Sequence, residues 1–159
     1  MFNVLKKLFR PKPTAFEAAQ QRLDLFIHAC ELFLQESKFS NSEKVNLAKY
    51  LIFLGAADCS SQLHFLSDVD FAKLTLAMFD KLGVNPPYRQ LMLKYFLCMD
   101  KNILAKEAVI EGGSMFNKWI NGNINIPLTI ISMLENYQNE PNFPASPGKL
   151  YVDIENKSY

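Results

Sequence analysis

Arginine is nearly absent from this chain: Arg10, Arg22 and Arg89 are the only three, and the formal net charge is +1. Recognition of phosphates and base edges draws on the bidentate guanidinium fork, and non-specific nucleic-acid binding draws on a broad positive field. With neither present, nucleic acid is not an expected partner. Cysteine is sparse as well. Cys30, Cys59 and Cys98 are odd in number, far apart and set among apolar residues, a pattern of reduced thiols in a cytosolic protein rather than a disulfide framework. Long apolar runs are missing: a membrane-spanning helix needs about 20 apolar residues, and the best candidate is interrupted by Lys49. Lys6, Lys7 and Arg10 break the apolar content of the N-terminus, and no signal-peptide pattern is seen there. The expected compartment is the cytoplasm.

Clustered metal ligands are lacking too. His28 and Cys30 are two apart and would point to different faces of a helix, while Cys59 and His64 are five apart, a poor chelate. Asp68-Val69-Asp70 opens like a calcium loop, but Lys73 and Phe79 stand where such a loop needs glycine and glutamate. Gly112-Gly113-Ser114 has no preceding strand pattern or following glycine for a nucleophile elbow. It also lacks the lysine of a phosphate loop. Asp24, His28 and Glu31 are spaced one helical turn apart and could orient an imidazole as a base, but no nucleophile stands beside them. They read as a solvated helix face. No cofactor, metal site or catalytic residue is expected.

What is present is apolar volume. The chain has 159 residues, 49% of them hydrophobic, with thirteen phenylalanines. A single domain of this size buries about two-thirds of its unfolded surface. The organising stretch is Ser40 to Ala57. Ser40 and Glu43 have capping-box spacing, and Ser42, Asn46 and Lys49 form a polar side that gives way to Phe53 and Ala56. A helix apolar all round must be surrounded by protein, so this is the expected central helix, ending at Gly55 or continuing with a bend to His64.

Thr14 and Glu17 predict the cap of a preceding helix reaching Ser37, with Phe16, Leu23, Phe26, Ile27, Cys30, Phe33 and Leu34 inward. Ser67 and Asp70 start another, ending at Leu82 before Gly83. Pro86 and Pro87 open a helix over Tyr88 to Met99, apolar on nearly every side and taken as the second buried helix. Residues 102–111 read as helix, with Gly112-Gly113 expected to break or kink it or to relieve crowding between helices. Asn121-Gly122 reads as a helix cap in preference to a hairpin turn, and Pro127 opens a last helix. The expected fold is all-α: a compact single-domain bundle of about six helices with two buried central helices and an extended C-terminal tail.

The expected organisation is a basic arm (1–13), the helical domain (14–139) and a Pro-rich tail (140–159) in which Leu150, Val152 and Ile154 alternate as in a short strand. The arm carries Lys6, Lys7, Arg10 and Lys12 without an acidic residue, and Phe2, Leu5, Leu8 and Phe9 recur at helical spacing. Phe2, Leu5, Lys6, Lys7, Phe9, Arg10 and Lys12 are therefore candidates for weak contact with an anionic membrane. Pro141, Pro144 and Pro147 could dock in an aromatic groove of a partner, though such a spacing more often marks a semi-rigid linker, and Met115, Phe116 and Trp119 could form an exposed anchor, though side chains so spaced are more often core. The leading functional expectation is a non-enzymatic protein–protein interaction module or small regulator in the cytosol, either an adaptor or an immunity-type binder, with self-association left open. The alternatives are a peripheral membrane protein held by the arm, and a small-ligand binder or enzyme with a cavity lined by Asp58, His64, Tyr95 or Trp119.

Overall fold

The computed structural model describes residues 11–36, 39, 42–97 and 102–150. Among them are six α-helices and no strand: α1 (Ala15–Glu36), α2 (Glu43–Leu63), α3 (Asp68–Lys81), α4 (Pro86–Leu97), α5 (Ile103–Ile120) and α6 (Ile130–Asn139). Single 3₁₀ turns cover Ile126–Thr129 and Pro147–Leu150.

Local side chains set where the helices start. At α1 the capping box is reciprocal: the Thr14 N–H donates to Glu17 Oε2 at 2.8 Å, and the Glu17 N–H donates to Thr14 Oγ1 at 3.1 Å. Ser67 accepts from the Asp70 N–H at 3.2 Å and caps α3, so the carboxylates of Asp68 and Asp70 sit in a first turn, where the helix dipole favours them. At α2 the cap is Ser42, which accepts from the Val45 N–H at 3.2 Å. The predicted capping residue Ser40 lies outside the described residues.

Helix α2 is the axis of the molecule. Residues 51–57 are all buried, as an all-apolar stretch requires, and the helix runs through Gly55 to Leu63. Gly55 serves packing. A Cβ there would lie 1.8 Å from the Val109 carbonyl oxygen, and a Cβ on Gly112 would lie 1.8 Å from that of Ile52. Helices α2 and α5 therefore cross backbone to backbone, and any side chain at either glycine would drive them apart. This corrects the expected break at Gly112-Gly113, because α5 is continuous from Ile103 to Ile120. The alternative expectation, relief of crowding, is what the geometry displays.

The second buried helix is also reassigned. In α4 only Met92 and Tyr95 are fully buried, whereas α5 buries Ala105, Ala108, Val109, Gly112, Met115 and Phe116. One apolar cluster joins all six helices, with α4 contributing only Met92 and Tyr95 among its fully buried members. Residues 141–150 fold back onto this body. Phe143, Pro144, Pro147 and Leu150 are buried, and the turn at 147–150 packs on α4. The described part of the tail is thus a docked strap. Val152 and Ile154 of the expected strand lie outside the described residues.

Candidate functional site

Three helices end in the same way. In a Schellman cap, the residue after the cap turns left-handed, and its N–H and the next one bond back to the last turn. At the end of α3, the Gly83 N–H donates to the Asp80 carbonyl (3.1 Å) and the Val84 N–H to that of Phe79 (3.0 Å). At the end of α5, Gly122 donates to Trp119 (3.0 Å) and Asn123 to Lys118 (3.1 Å). At the end of α2, Phe65 donates to Gln62 (3.2 Å) and Leu66 to Ser61 (3.0 Å). The left-handed residue is glycine in the first two caps, with φ of +67° and +103°, and phenylalanine in the third, with φ of +53°.

A side chain in that conformation crowds its own carbonyl, at a cost of about 1–2 kcal/mol. Burial does not offset the cost here, because Phe65 is 95% exposed. Leu63 and Val69 flank it in the chain, 43% and 63% exposed. Leu25, Leu97, Ile103, Ile110, Ile124 and Leu128 are also more than half exposed, in ordinary backbone conformations, as is common on protein surfaces. Phe65 alone of the described non-glycine residues has positive φ. The corner is held firmly. His64 Nδ1 lies 2.8 Å from the Ser60 carbonyl oxygen, and since a carbonyl only accepts, Nδ1 carries the proton. Ser67 secures the start of α3. The surrounding charge is acidic: residues 58–73 contain Asp58, Asp68 and Asp70 against Lys73. Lys73 pairs with Asp70 at 3.3 Å. Partial burial pushes the Asp58 carboxyl up, opposed by its hydrogen bond from Gln62.

A second feature is a groove of about 360 Å³ lined by α1, α2 and α3. It gathers Asp24, His28 and Glu31, the three residues singled out in the sequence as a conceivable base, and adds Lys49 and Lys81. Asp24 pairs with Lys81, and Glu31 lies 3.2 Å from Lys49 Nζ. The carboxylates thus bridge between helices and do not orient the exposed His28. Cys30, next to Glu31 in sequence, is fully buried in the core, and burial pushes its thiol far above the usual range. It is no nucleophile for the groove. Among the described residues no group of three or more His, Cys, Asp or Glu could hold a metal ion.

The other residues predicted from sequence are dispersed. Met115 and Phe116 are buried and Trp119 partly so. Phe116 and Trp119 pack their rings on Phe26, with centroids 5.4 and 5.6 Å away. The set is core, the reading its helical spacing favoured, and it is not available as an exposed anchor. Pro141 is exposed, but Pro144 and Pro147 are buried, so the prolines do not present one face to an aromatic groove. Tyr95 is buried and donates to the Asn102 carbonyl at 2.8 Å. Asp58 and His64 belong to the Phe65 corner. Lys12 is exposed, whereas Phe2, Leu5, Lys6, Lys7, Phe9 and Arg10 lie outside the described residues.

Phe65 itself escaped the sequence reading. Leu63-His64-Phe65-Leu66 looks like the apolar end of a buried helix, and the available signal was a helix end without the glycine that ends the other two. Comparison of the chain with protein-family models, curated proteins and solved structures finds no match.

Proposed function

We propose that this protein is a non-enzymatic protein–protein interaction module, a cytosolic adaptor, regulator or immunity-type neutraliser, whose partner engages the corner between α2 and α3. One observation carries the reading: Phe65 is held in a conformation that disfavours it and displayed to solvent, where the equivalent caps of α3 and α5 use glycine. A strained, exposed aromatic residue on a rigid frame contributes nothing to folding, and strain of this kind concentrates at functional positions. An aromatic side chain pre-positioned this way loses little entropy on docking and can fill a pocket, the usual character of an interface hot spot. The cytosolic setting agrees with the unpaired thiols of Cys30 and Cys59. No helix among the described residues is long and apolar enough to cross a membrane.

Phe65→Gly separates function from fold. Affinity capture from the native cell with the wild type and the variant, both checked by thermal unfolding, should show a stoichiometric protein partner retained by the wild type and lost by the variant. A folded variant that captures the same partner in full would remove the corner as the binding surface.

A further inference from the structure

Towards the other end of α2 from Phe65, a pocket of about 190 Å³ opens between α2, the turn after α3, α4 and the strap. Glu43, Leu47 and Tyr50 stand four and three positions apart, so they share one face at the start of α2. The Schellman turn at Gly83 brings the chain back past this face. The Asn85 carbonyl then accepts from the Tyr88 and Arg89 N–H groups at 3.0 and 3.1 Å, which starts α4 with Tyr88 in its first turn. The Tyr88 hydroxyl donates to Glu43 Oε1 at 3.1 Å and ties α4 to α2. Buried Val84 and, from the strap, buried Pro147 complete the wall.

Charge, chemistry and size together select an occupant. Among the described residues, Glu43 is the only charged side chain on the wall. Nearby cations are engaged elsewhere: Arg89 donates to the Val84 carbonyl at 2.6 Å and pairs with Asp80. Lys49, 5.3 Å from the centre of the Tyr50 ring, is matched by Glu31. The wall therefore favours a cation and offers no countercharge to an anion. Most of the remaining lining is apolar or aromatic, so a strongly hydrated ion would lose its water with little to replace it. A cation covered in methyl groups avoids that cost, and tyrosine rings attract such groups. The volume is below the roughly 300–1,000 Å³ of sites for drug-sized ligands, which suits a small solute. We infer that this pocket binds a small quaternary ammonium solute, its trimethylammonium group held by Tyr50 and Tyr88 with Glu43 supplying the opposite charge. A lipid head group carrying the same cation beside a phosphate fits less well, because no lysine or arginine lines the pocket to meet the phosphate. The site is separate from the Phe65 corner and goes beyond the partner reading.

Choline is the probe, titrated into the full chain and followed by amide NMR. Saturable shifts should centre on Gly83, Asn85 and Tyr88. The neutral analogue in which carbon replaces the choline nitrogen has the same shape without the charge. It should bind about tenfold more weakly, a difference within reach of one cation–π contact and one carboxylate. Glu43→Gln should weaken choline and leave the neutral analogue unchanged. Tyr88→Phe keeps the ring and should retain choline, whereas Tyr88→Leu should lose it; the amide spectrum reports whether each variant is folded. Equal affinity of the wild type for choline and its neutral analogue would overturn the inference, as would the absence of saturable shifts at millimolar choline. Undiminished choline binding in folded Glu43→Gln and Tyr88→Leu would overturn it too. A trimethyllysine peptide or phosphatidylcholine vesicles that bind at this wall while free choline does not would overturn the assignment to a free solute. Phe65→Gly should leave the choline titration unchanged, so the pocket and the partner reading fail separately.

Discussion

At the scale of single residues, the most informative side chain is one that makes little contact. Phe65 occupies the position that glycine fills at the ends of α3 and α5, so replacing it with glycine relieves backbone crowding and sacrifices almost no buried area. The greater freedom of glycine in the unfolded chain offsets part of the gain. Stability of Phe65→Gly should stay level or rise by up to about 1 kcal/mol, which is roughly 2–4 °C in Tm at this chain length. A drop of several degrees would mean that Phe65 packs on the body. Tyr137 behaves in the opposite way. Burial, and then its 2.6 Å hydrogen bond to Glu111, push its phenol far above the ordinary value. A raised folded pKa stabilises the protein fully below the unfolded value and progressively less as pH climbs past it. Stability should therefore fall above about pH 10, and Tyr137→Phe should weaken that alkaline decline while losing about 1 kcal/mol at neutral pH. Parallel denaturant titrations at pH 8 and pH 11 check this; equal alkaline losses in the two proteins would contradict it.

At the scale of elements, most helix starts were legible because a cap is a local device. Thr14 with Glu17, and Ser67, need only their own next few residues. Ser40 with Glu43 met the same template, yet the observed cap is Ser42, which bonds to Val45; with serines at both positions, spacing alone could not separate them. Glycine was harder. Gly83 and Gly122 end helices through their own backbone angles, whereas Gly55 and Gly112 lie inside helices because another backbone passes against them. That neighbour is more than fifty positions away in sequence, so a local reading of Gly112-Gly113 defaults to a break. The contact makes a sharp prediction. Alanine favours an isolated helix over glycine by about 1 kcal/mol, but Gly112→Ala should cost about 1–3 kcal/mol or more, because the crossing must open to admit a methyl group. Chemical unfolding reads the difference. A stabilised Gly112→Ala would mean the helices do not touch there.

At the scale of the whole molecule, the all-helical class and the central α2 could be read from periodicity, since a stretch apolar on every side has to lie inside. The same argument misplaced the second central helix. α4 is apolar on most sides, but much of it is only partly buried, and the strap at 147–150 packs on it. The smaller residues of α5 allow the closest approach to α2. The strap was read as a tail because its prolines suggest an extended path, while burial of Phe143 and Leu150 depends on a surface no local pattern reveals. If the strap is part of the core, Leu150→Ala should lower stability by about 2–4 kcal/mol, the usual cost of truncating a buried leucine. A variant that unfolds like the wild type would return residues 141–150 to the status of a loose tail. The candidate site was the least legible feature of all. Its signal is a mismatch between a residue type and a backbone angle, and the angle exists only once the chain is folded.

The most direct test of the account is quantitative capture of the native partner by the wild type and Phe65→Gly at matched concentration, with both melting curves recorded. The account predicts a variant at least as stable as the wild type that has lost its partner. Undiminished capture by that stable variant would contradict the claim that this corner is where the protein works.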